Sequence, residues 1–176
     1  MSRKGYSLEH EVEDIFLKLA GQQREIPLSE RTFRVPQSGS IRGLKGDILT
    51  NVPFLPFQFL IECKSRRTKS AKNDFIFRLD TSWLSKVSQE ADSVERVPLL
   101  VFSFKGAKVD RLWCCIRKSD YEKVFGDKID RVYEVKRSKK SFILNKSTLK
   151  EFSACNDFII LKLPTLISKL KEKYEP

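Results

Sequence analysis

Phe57-Gln58-Phe59-Leu60-Ile61-Glu62-Cys63-Lys64 is the stretch that decides the fold. It is short, apolar and aromatic, and two prolines precede it, so it is predicted to form a β-strand. Successive side chains of a strand point to opposite faces, so Glu62 and Lys64 share one face and Cys63 points to the other. Charged residues on an apolar strand need a structural or chemical reason, because their burial costs free energy.

A second apolar stretch, 46–51, contains Asp47 directly after a glycine. If this stretch pairs with 57–64 as a hairpin, Asp47 and Glu62 converge at one end of it. Two carboxylates and a lysine on a shared face suit a hard divalent cation such as Mg²⁺. In such a site Lys64 orients or deprotonates the attacking water, which is the chemistry of phosphodiester hydrolysis. The alternative is a solvated strand end, since Glu-x-Lys is common in a chain that is 32% charged.

The charge balance indicates a polyanionic partner. The chain has 34 Lys+Arg against 23 Asp+Glu, a formal net charge of +11. A folded domain this basic most often binds nucleic acid, and the alternatives are an acidic protein or an anionic membrane surface.

The hydrophobic fraction of 40% and the 13 Phe predict a folded globule, and the length of 176 residues suits one domain, 1–176. The single histidine, His10, argues against a multi-histidine metal site.

An intracellular location is expected, cytoplasmic in an archaeon, a bacterium or the host of a virus or phage. No run approaches the ~18 apolar residues that a membrane span requires. The N-terminal residues lead straight into an amphipathic segment rather than a secretory signal. The cysteines lack the spacing of zinc sites and are expected to be reduced core residues: Cys63, Cys114, Cys115 and Cys155.

The remaining hydrophobic pattern predicts an α/β fold with a mixed sheet and helices packed on it. Helices are predicted at 6–20, 83–94 and 119–125, and from Pro164 onward. Further strands are predicted at 32–35, 99–104, 112–116, 131–136 and 141–145, followed by an apolar run at 158–161.

Three basic segments without acidic residues connect these elements. The glycine-rich segment 37–46 can approach another backbone closely. The segment 65–72 is either a mobile solvated loop or a contact to nucleic acid, and its place directly after the strand 57–64 favours the contact. The run 136–150 is compatible with a solvated hairpin, and the sequence leaves its role open.

Six motifs follow one another along the first part of the chain: Arg3-Lys4-Gly5, Glu9, Phe33-Arg34-Val35-Pro36, Ser38-Gly39-Ser40, Gly46-Asp47-Ile48 and Leu60-Ile61-Glu62-Cys63-Lys64-Ser65-Arg66. This order resembles that of archaeal-type Holliday-junction resolvases, which belong to the PD-(D/E)xK nuclease superfamily. The resemblance covers roughly residues 3–105. Each motif alone is weak, and the ordered set is specific.

The resemblance implies a restriction-endonuclease-like fold, in which helices flank a mixed central β-sheet. It also implies a homodimer and Mg²⁺-dependent cleavage of four-way DNA junctions, a reaction of DNA recombination and repair. Mn²⁺ is the expected substitute, and no small-molecule cofactor is expected. Glu9, Asp47 and Glu62 would bind the metal or orient its ligands, Lys64 would position the attacking water, and Ser38 would act on the scissile backbone.

The resemblance also implies DNA contacts. Arg3 and Lys4 would belong to a basic N-terminus that contacts DNA. Other cations in or next to the motifs are expected to meet phosphate: Arg34, Arg42, Lys45, Arg66, Arg67, Lys69 and Lys72. Two positions depart from the family pattern, with Gly46 in place of a frequent Pro and His10 in place of a frequent Arg. Neither departure removes a carboxylate.

Structural interpretations compete with several of these roles. Glu9 could be a first-turn glutamate that the helix dipole favours, and Ser38 an ordinary turn residue. Trp83 is expected in the core rather than as a base-stacking platform.

Three functions stay open: a junction resolvase, another PD-(D/E)xK endonuclease acting on duplex or flap DNA, and a non-catalytic basic DNA-binding protein. The dimer interface is expected on the second helix or the last strands.

Overall fold

The chain forms a mixed α/β structure, seen in a computed structural model that describes residues 3–36, 44–66 and 74–176, with side chains from Leu8 onward in the first helix. The helices are α1 (Arg3–Ala20), α2 (Thr81–Ser93), α3 (Lys118–Phe125) and α4 (Leu163–Tyr174). The strands are β1 (Phe33–Arg34), β2 (Ile48–Leu49), β3 (Phe59–Lys64), β4 (Ile76–Asp80), β5 (Val97–Ser103), β6 (Leu112–Arg117), β7 (Tyr133–Glu134), β8 (Arg137–Ser138), β9 (Ser141–Asn145), β10 (Ser153–Cys155) and β11 (Phe158–Lys162).

Eight strands form one sheet in the order β1-β2-β3-β5-β6-β11-β10-β7. The pairs β3–β5 and β10–β7 are parallel, and the other neighbours are antiparallel. β2 and β3 pair with Ile48 opposite Ile61, so the hairpin expected from the sequence is present. The parallel pair β3–β5 is connected through α2, as parallel strands require a crossover. The predicted mixed sheet flanked by helices is therefore confirmed.

The two faces of this sheet bury separate apolar layers. Helices α1, α3 and α4 pack on one face, and α2 packs on the other together with β4 and β9. Along β3, Phe59 and Ile61 enter the first layer and Leu60 enters the second. Cys63 packs against the first layer, so Glu62 and Lys64 lie on the α2 face, as strand alternation predicts.

A second sheet of three strands, β4-β9-β8, covers part of the α2 face, and the sequence did not predict it. Its strand β4 alternates buried Phe77 and Leu79 with exposed Arg78. The ring of Phe77 stacks on Phe102 of β5 with centroids 4.6 Å apart, which attaches the second sheet to the first. β8 and β9 form a hairpin within the basic run 136–150, but β9 buries Phe142 and Leu144, so the hairpin is solvated only in part.

Helix α1 begins at Arg3, three residues before the predicted start. Glu9 therefore lies in the second turn of the helix, where the effect of the helix dipole has largely decayed. The interpretation of Glu9 as a first-turn residue is wrong for this reason.

The four cysteines lie in or beside the core. Cys63 is half-buried, and the other three cysteines are buried free thiols. Within the described ranges, no helix is both long enough and apolar enough to cross a bilayer.

Gly46 allows the chain to approach β3 closely just before Asp47. Its φ is +75°, in the left-handed region that favours glycine. A Cβ at this position would lie 2.7 Å from Cδ2 of Leu60 and 3.2 Å from the carbonyl oxygen of Ile61. Leu60 is fully buried, so neither neighbour can move away without disturbing the core.

Gly46→Ala is expected to lower the free energy of unfolding by about 3 kcal/mol, because backbone strain adds to overpacking. Gly21→Ala is the matched control, since Gly21 has φ +63° and nothing within 4 Å of its added Cβ. This control should lose only the strain part, about 1 kcal/mol. Urea denaturation measures both variants, and equal losses would contradict the steric explanation.

Candidate active site

Two hydrogen bonds hold Asp47 against the strand that carries Glu62. The backbone N–H of Asp47 donates to the carbonyl oxygen of Ile61 at 2.9 Å. The backbone N–H of Cys63 donates to Oδ2 of Asp47 at 2.8 Å. The carboxyl groups of Asp47 and Glu62 are thereby brought together at the junction of β2 and β3. Both residues are buried, with exposed fractions of only 7% and 8%.

Lys64 completes the group on the same face of β3. Its Nζ donates to Oε1 of Glu62 at 2.7 Å. Asp47 and Glu62 each use one carboxylate oxygen in these contacts. The second oxygen of each group makes no hydrogen bond with the residues that the structure describes. One oxygen of each carboxylate is therefore available, within this part of the chain, for another ligand.

Burial and the neighbouring charge of Glu62 raise the pKa values of Asp47 and Glu9. Burial, followed by the charge of Glu62, raises the pKa of Asp47 to about 7, and the hydrogen bond from Cys63 opposes this shift. Burial also raises the pKa of Glu9, opposed by Arg34 and supported by Glu62. Glu9 on α1 therefore interacts electrostatically with the carboxylate on β3.

The donor set fits a hard divalent cation. Mg²⁺ binds carboxylate oxygens and commonly uses one or two of them, completing its shell with water and phosphate oxygens. Among the described residues, no three His, Cys, Asp or Glu side chains stand close enough to hold an ion by themselves. Asp47 and Glu62 are therefore the pair that would hold it. A cation there would offset the repulsion that raises the pKa of Asp47, and a metal role for Glu9 stays a prediction.

Helix α2 forms a wall of the site that the sequence did not reveal. A cavity of about 90 Å³ adjoins the carboxylates and is lined by Leu44, Lys45, Gly46, Asp47, Glu62, Lys86 and Glu90. Lys86 and Glu90 form an ion pair at 3.8 Å on α2. They share one side of the helix with Trp83, at spacings of three and four residues. The spacing could have identified Lys86 and Glu90 as residues of the site only if the position of α2 beside the carboxylates had been known.

Trp83 contacts the two cations that follow Glu62. Its half-buried ring lies 5.2 Å from Nζ of Lys64 and 4.4 Å from Cζ of Arg66, measured to the ring centroid. Cations are attracted to the face of an aromatic ring, most strongly to Trp. Trp83 packs against the α2-side apolar layer, as the sequence predicts. It also orients Lys64 and Arg66, which the sequence does not indicate.

The other predicted cations fall at different places around the site. Lys45 lines the cavity, and Arg66 is exposed on the face of Trp83. Arg34 lies close enough to Glu9 to lower its pKa. The Nε of Arg34 also donates to Glu13 at 2.8 Å. Glu13 is buried and forms ion pairs with Arg24 and Arg31 as well. Binding of these cations to phosphate stays a prediction.

Some predicted site residues lie outside the part of the chain that the structure describes. These are Ser38, Arg42, Arg67, Lys69 and Lys72, together with the side chains of Arg3 and Lys4. Their predicted roles, in catalysis for Ser38 and in DNA binding for the others, stay predictions.

Comparison with known proteins agrees with the superfamily that the motifs resemble. A family model described as phage putative PDDEXK endonuclease matches residues 1–174. Curated proteins give no significant match. Among solved structures, the chain is similar to Hjc of Archaeoglobus fulgidus, described as a Holliday junction resolvase from an archaeal hyperthermophile. The two are 13% identical with a TM-score of 0.47, and the match covers 80% of this chain and 86% of that chain.

The family match confirms the resemblance to PD-(D/E)xK nucleases. The mixed sheet, with Asp47 directly before β2 and Glu62-x-Lys64 on the adjacent strand β3, is the expected restriction-endonuclease-like fold. The match extends over nearly the whole sequence rather than over the motif region alone. The chain therefore belongs to the family of phage putative PDDEXK endonucleases.

Proposed function

We propose that the protein is a divalent-metal-dependent endonuclease that resolves four-way DNA junctions by paired, symmetric nicks. The observation that carries the nuclease chemistry is the buried pair Asp47 and Glu62 with the ammonium group of Lys64 2.7 Å from Glu62. The preference for junctions rests on the motif order over the first third of the chain. The net charge of +11 supports a polyanionic substrate.

Each residue of the site has a distinct part in the proposed reaction. Asp47 and Glu62 would hold Mg²⁺, or Mn²⁺ in its place, and the metal would supply Lewis-acid stabilisation of phosphate charge and lower the pKa of water. Lys64 is held by Glu62 and Trp83 in a position to orient the attacking water and stabilise charge on the phosphate. Burial of the carboxylates strengthens these interactions, because less water screens them.

A twofold homodimer completes the proposal. Two identical sites related by a twofold axis would face opposed strands of a four-way junction, whose arms have matching symmetry. Paired nicks at equivalent positions follow from this geometry. A monomer would instead cut single strands without coordination.

The proposal is tested with a labelled four-way junction and a linear duplex of the same sequence, each with Mg²⁺ or with EDTA. Paired symmetric nicks in the junction only, and only with Mg²⁺, are the expected result. Equal cutting of duplex or flap DNA would show that the enzyme is not selective for junctions and acts on a broader class of DNA substrates. Full junction binding without cutting in Mg²⁺ or Mn²⁺ would contradict the enzymatic proposal and favour a DNA-binding protein.

Trp83→Leu is expected to lower the single-turnover cleavage rate about fivefold, because a cation–π contact of this kind stabilises Lys64 by roughly 1 kcal/mol. Trp83→Phe keeps an aromatic face and should recover most of the rate. Both variants lose packing volume, so urea denaturation accompanies the kinetics. Equal rate losses in the Leu and Phe variants would show that the ring acts through packing alone.

A further inference from the structure

The β8–β9 hairpin carries a cluster of exposed cations that the proposed cleavage site does not use. Its members are exposed residues at or beside the turn and on the adjacent strand β4: Lys136, Arg137, Lys139, Lys140 and Arg78. Arg137 donates to the carbonyl of Lys139 at 3.0 Å, and Arg78 donates to the hydroxyl of Ser141 at 3.5 Å. These cations form no ion pair with a carboxylate of the described residues.

The turn of this hairpin is attached to the start of α2, next to the site. The backbone N–H and the hydroxyl of Thr81 donate to the carbonyl oxygen of Lys140 at 2.9 and 3.0 Å. Asp80 caps α2 by accepting from the N–H of Ser82 at 2.9 Å. After these Ser82 hydrogen bonds, the charges of Arg66 and Lys140 also lower the pKa of Asp80. Arg66 and Lys140 are thus both within electrostatic range of one carboxylate.

The site and the hairpin both adjoin the start of α2. Lys64 and Arg66 share the ring of Trp83 in the first turn of this helix, and Asp80, which caps it, pairs with Ser141 directly after Lys140. The second sheet also covers the face of the main sheet to which Glu62 and Lys64 point. A polyanion bound at Lys64 could therefore continue over Arg66 to the turn of the hairpin.

The turn itself is not built for maximal stability. Ser138 and Ser141 are paired across a two-residue connection, and Lys139 has φ +54°. Glycine or asparagine is favoured at such a position, so a lysine there is strained. The chain nevertheless keeps a charged side chain at the tip of the hairpin.

We propose that the β8–β9 hairpin binds the sugar–phosphate backbone of a double-stranded DNA arm that extends beyond the cleavage site. This inference rests on the proposed function and adds a second contact region to it. Exposed Lys and Arg side chains suit phosphate contacts, which position a protein on DNA without reading its sequence. Each phosphate contact makes the plot of log affinity against log salt concentration steeper by about 0.9. The change in this slope therefore gives the number of contacts that a variant loses.

The test compares two triple variants that remove the same charge from opposite sides of the protein. The hairpin variant carries Arg137→Gln, Lys139→Asn and Lys140→Gln. The control variant carries Lys123→Gln, Lys128→Gln and Lys171→Gln, exposed positions on or after α3 and on α4. Dissociation constants are measured in EDTA over a salt series, with long-armed and short-armed junctions.

The hairpin variant is expected to bind the long-armed junction more weakly, with a salt slope smaller by about 2 to 3. On short-armed DNA it should match the wild type, because the arm no longer reaches the hairpin. The control should retain wild-type affinity and slope on both substrates. An equal loss in the control, an unchanged hairpin variant, or a loss of the same size on short arms would overturn the inference.

Lys139→Gly separates binding from folding, because the two effects have opposite signs. Relief of backbone strain should raise the melting temperature, while loss of the charge should weaken binding to the long-armed junction. Weaker binding without a stability loss supports a direct contact, and unchanged binding contradicts it. Binding is measured in EDTA and does not depend on cleavage. A wild-type protein that binds DNA but never cuts it would therefore refute the proposed nuclease function and leave the hairpin inference standing.

Discussion

Asp47→Asn is expected to reduce DNA cleavage by more than about 10³-fold while DNA binding persists, because loss of metal ligation removes several kcal/mol of transition-state stabilisation. Asparagine has nearly the same shape and can still accept the hydrogen bond from the N–H of Cys63 through its side-chain oxygen. It lacks the negative charge that a divalent cation requires. The loss should therefore fall on metal binding and chemistry rather than on the fold.

Stability gives a second readout for this variant. In the folded protein the pKa of Asp47 is raised from its ordinary value of 3.8 to about 7. The folded state therefore holds the proton of Asp47 more tightly than the unfolded state does. The free energy of unfolding declines as the pH rises from about 4 to about 7, and above pH 7 the ionised carboxylate keeps the folded state destabilised by this amount. At pH 8 without metal, Asp47→Asn should be at least as stable as the wild type.

Thermal denaturation with and without Ca²⁺ or Mg²⁺ tests the metal assignment apart from activity. The wild type should melt at a higher temperature when the ion is present, since a ligand of the folded state stabilises it. Asp47→Asn should show little or no rise. Asp127→Asn is the matched control at an exposed position and should behave as the wild type. Wild-type cleavage rates in Asp47→Asn would refute the site assignment.

Lys64→Met is expected to lower the single-turnover cleavage rate by about 10²- to 10⁴-fold, the range that a positioned proton-transfer or charge-stabilising group contributes. Methionine keeps an unbranched side chain near Trp83 but removes the ammonium group that contacts Glu62. The chemical step should therefore be lost while the carboxylates that would bind the metal remain.

The difference between the two variants identifies the separate roles. Lys64→Met should still melt at a higher temperature with Ca²⁺, whereas Asp47→Asn should not. Lys123→Met makes the same substitution at an exposed position of α3 and should leave the rate unchanged. Loss of the Ca²⁺ effect in Lys64→Met would show that the lysine organises the metal site rather than the reaction.

The central hairpin and the carboxylate pair could be predicted because local patterns specify them. The stretch 57–64 became β3 at Phe59–Lys64, with Cys63 on the face opposite to Glu62. The alternation of a strand needs no knowledge of distant elements. The superfamily could be predicted from the motif order for the same reason.

The α2 wall and the second sheet could not be predicted because they depend on how distant elements meet. Lys86 and Glu90 resemble ordinary polar positions of an amphipathic helix until α2 crosses over the carboxylates. β4 has only five residues, and its alternation is too short to outweigh the charged residues Arg78 and Asp80. The start of α1 at Arg3 moved Glu9 into the second turn, which only the structure reveals.

The second sheet shares no strand with the main sheet, and this separation affects how the protein can diverge. A one-residue slip in the main sheet would turn Glu62 and Lys64 to the wrong face and end catalysis. An insertion or charge change in the β8–β9 turn has no such penalty, because the register of β3 does not depend on it. If the hairpin binds a DNA arm as proposed, its contacts to DNA can therefore change without altering the carboxylate site on β3.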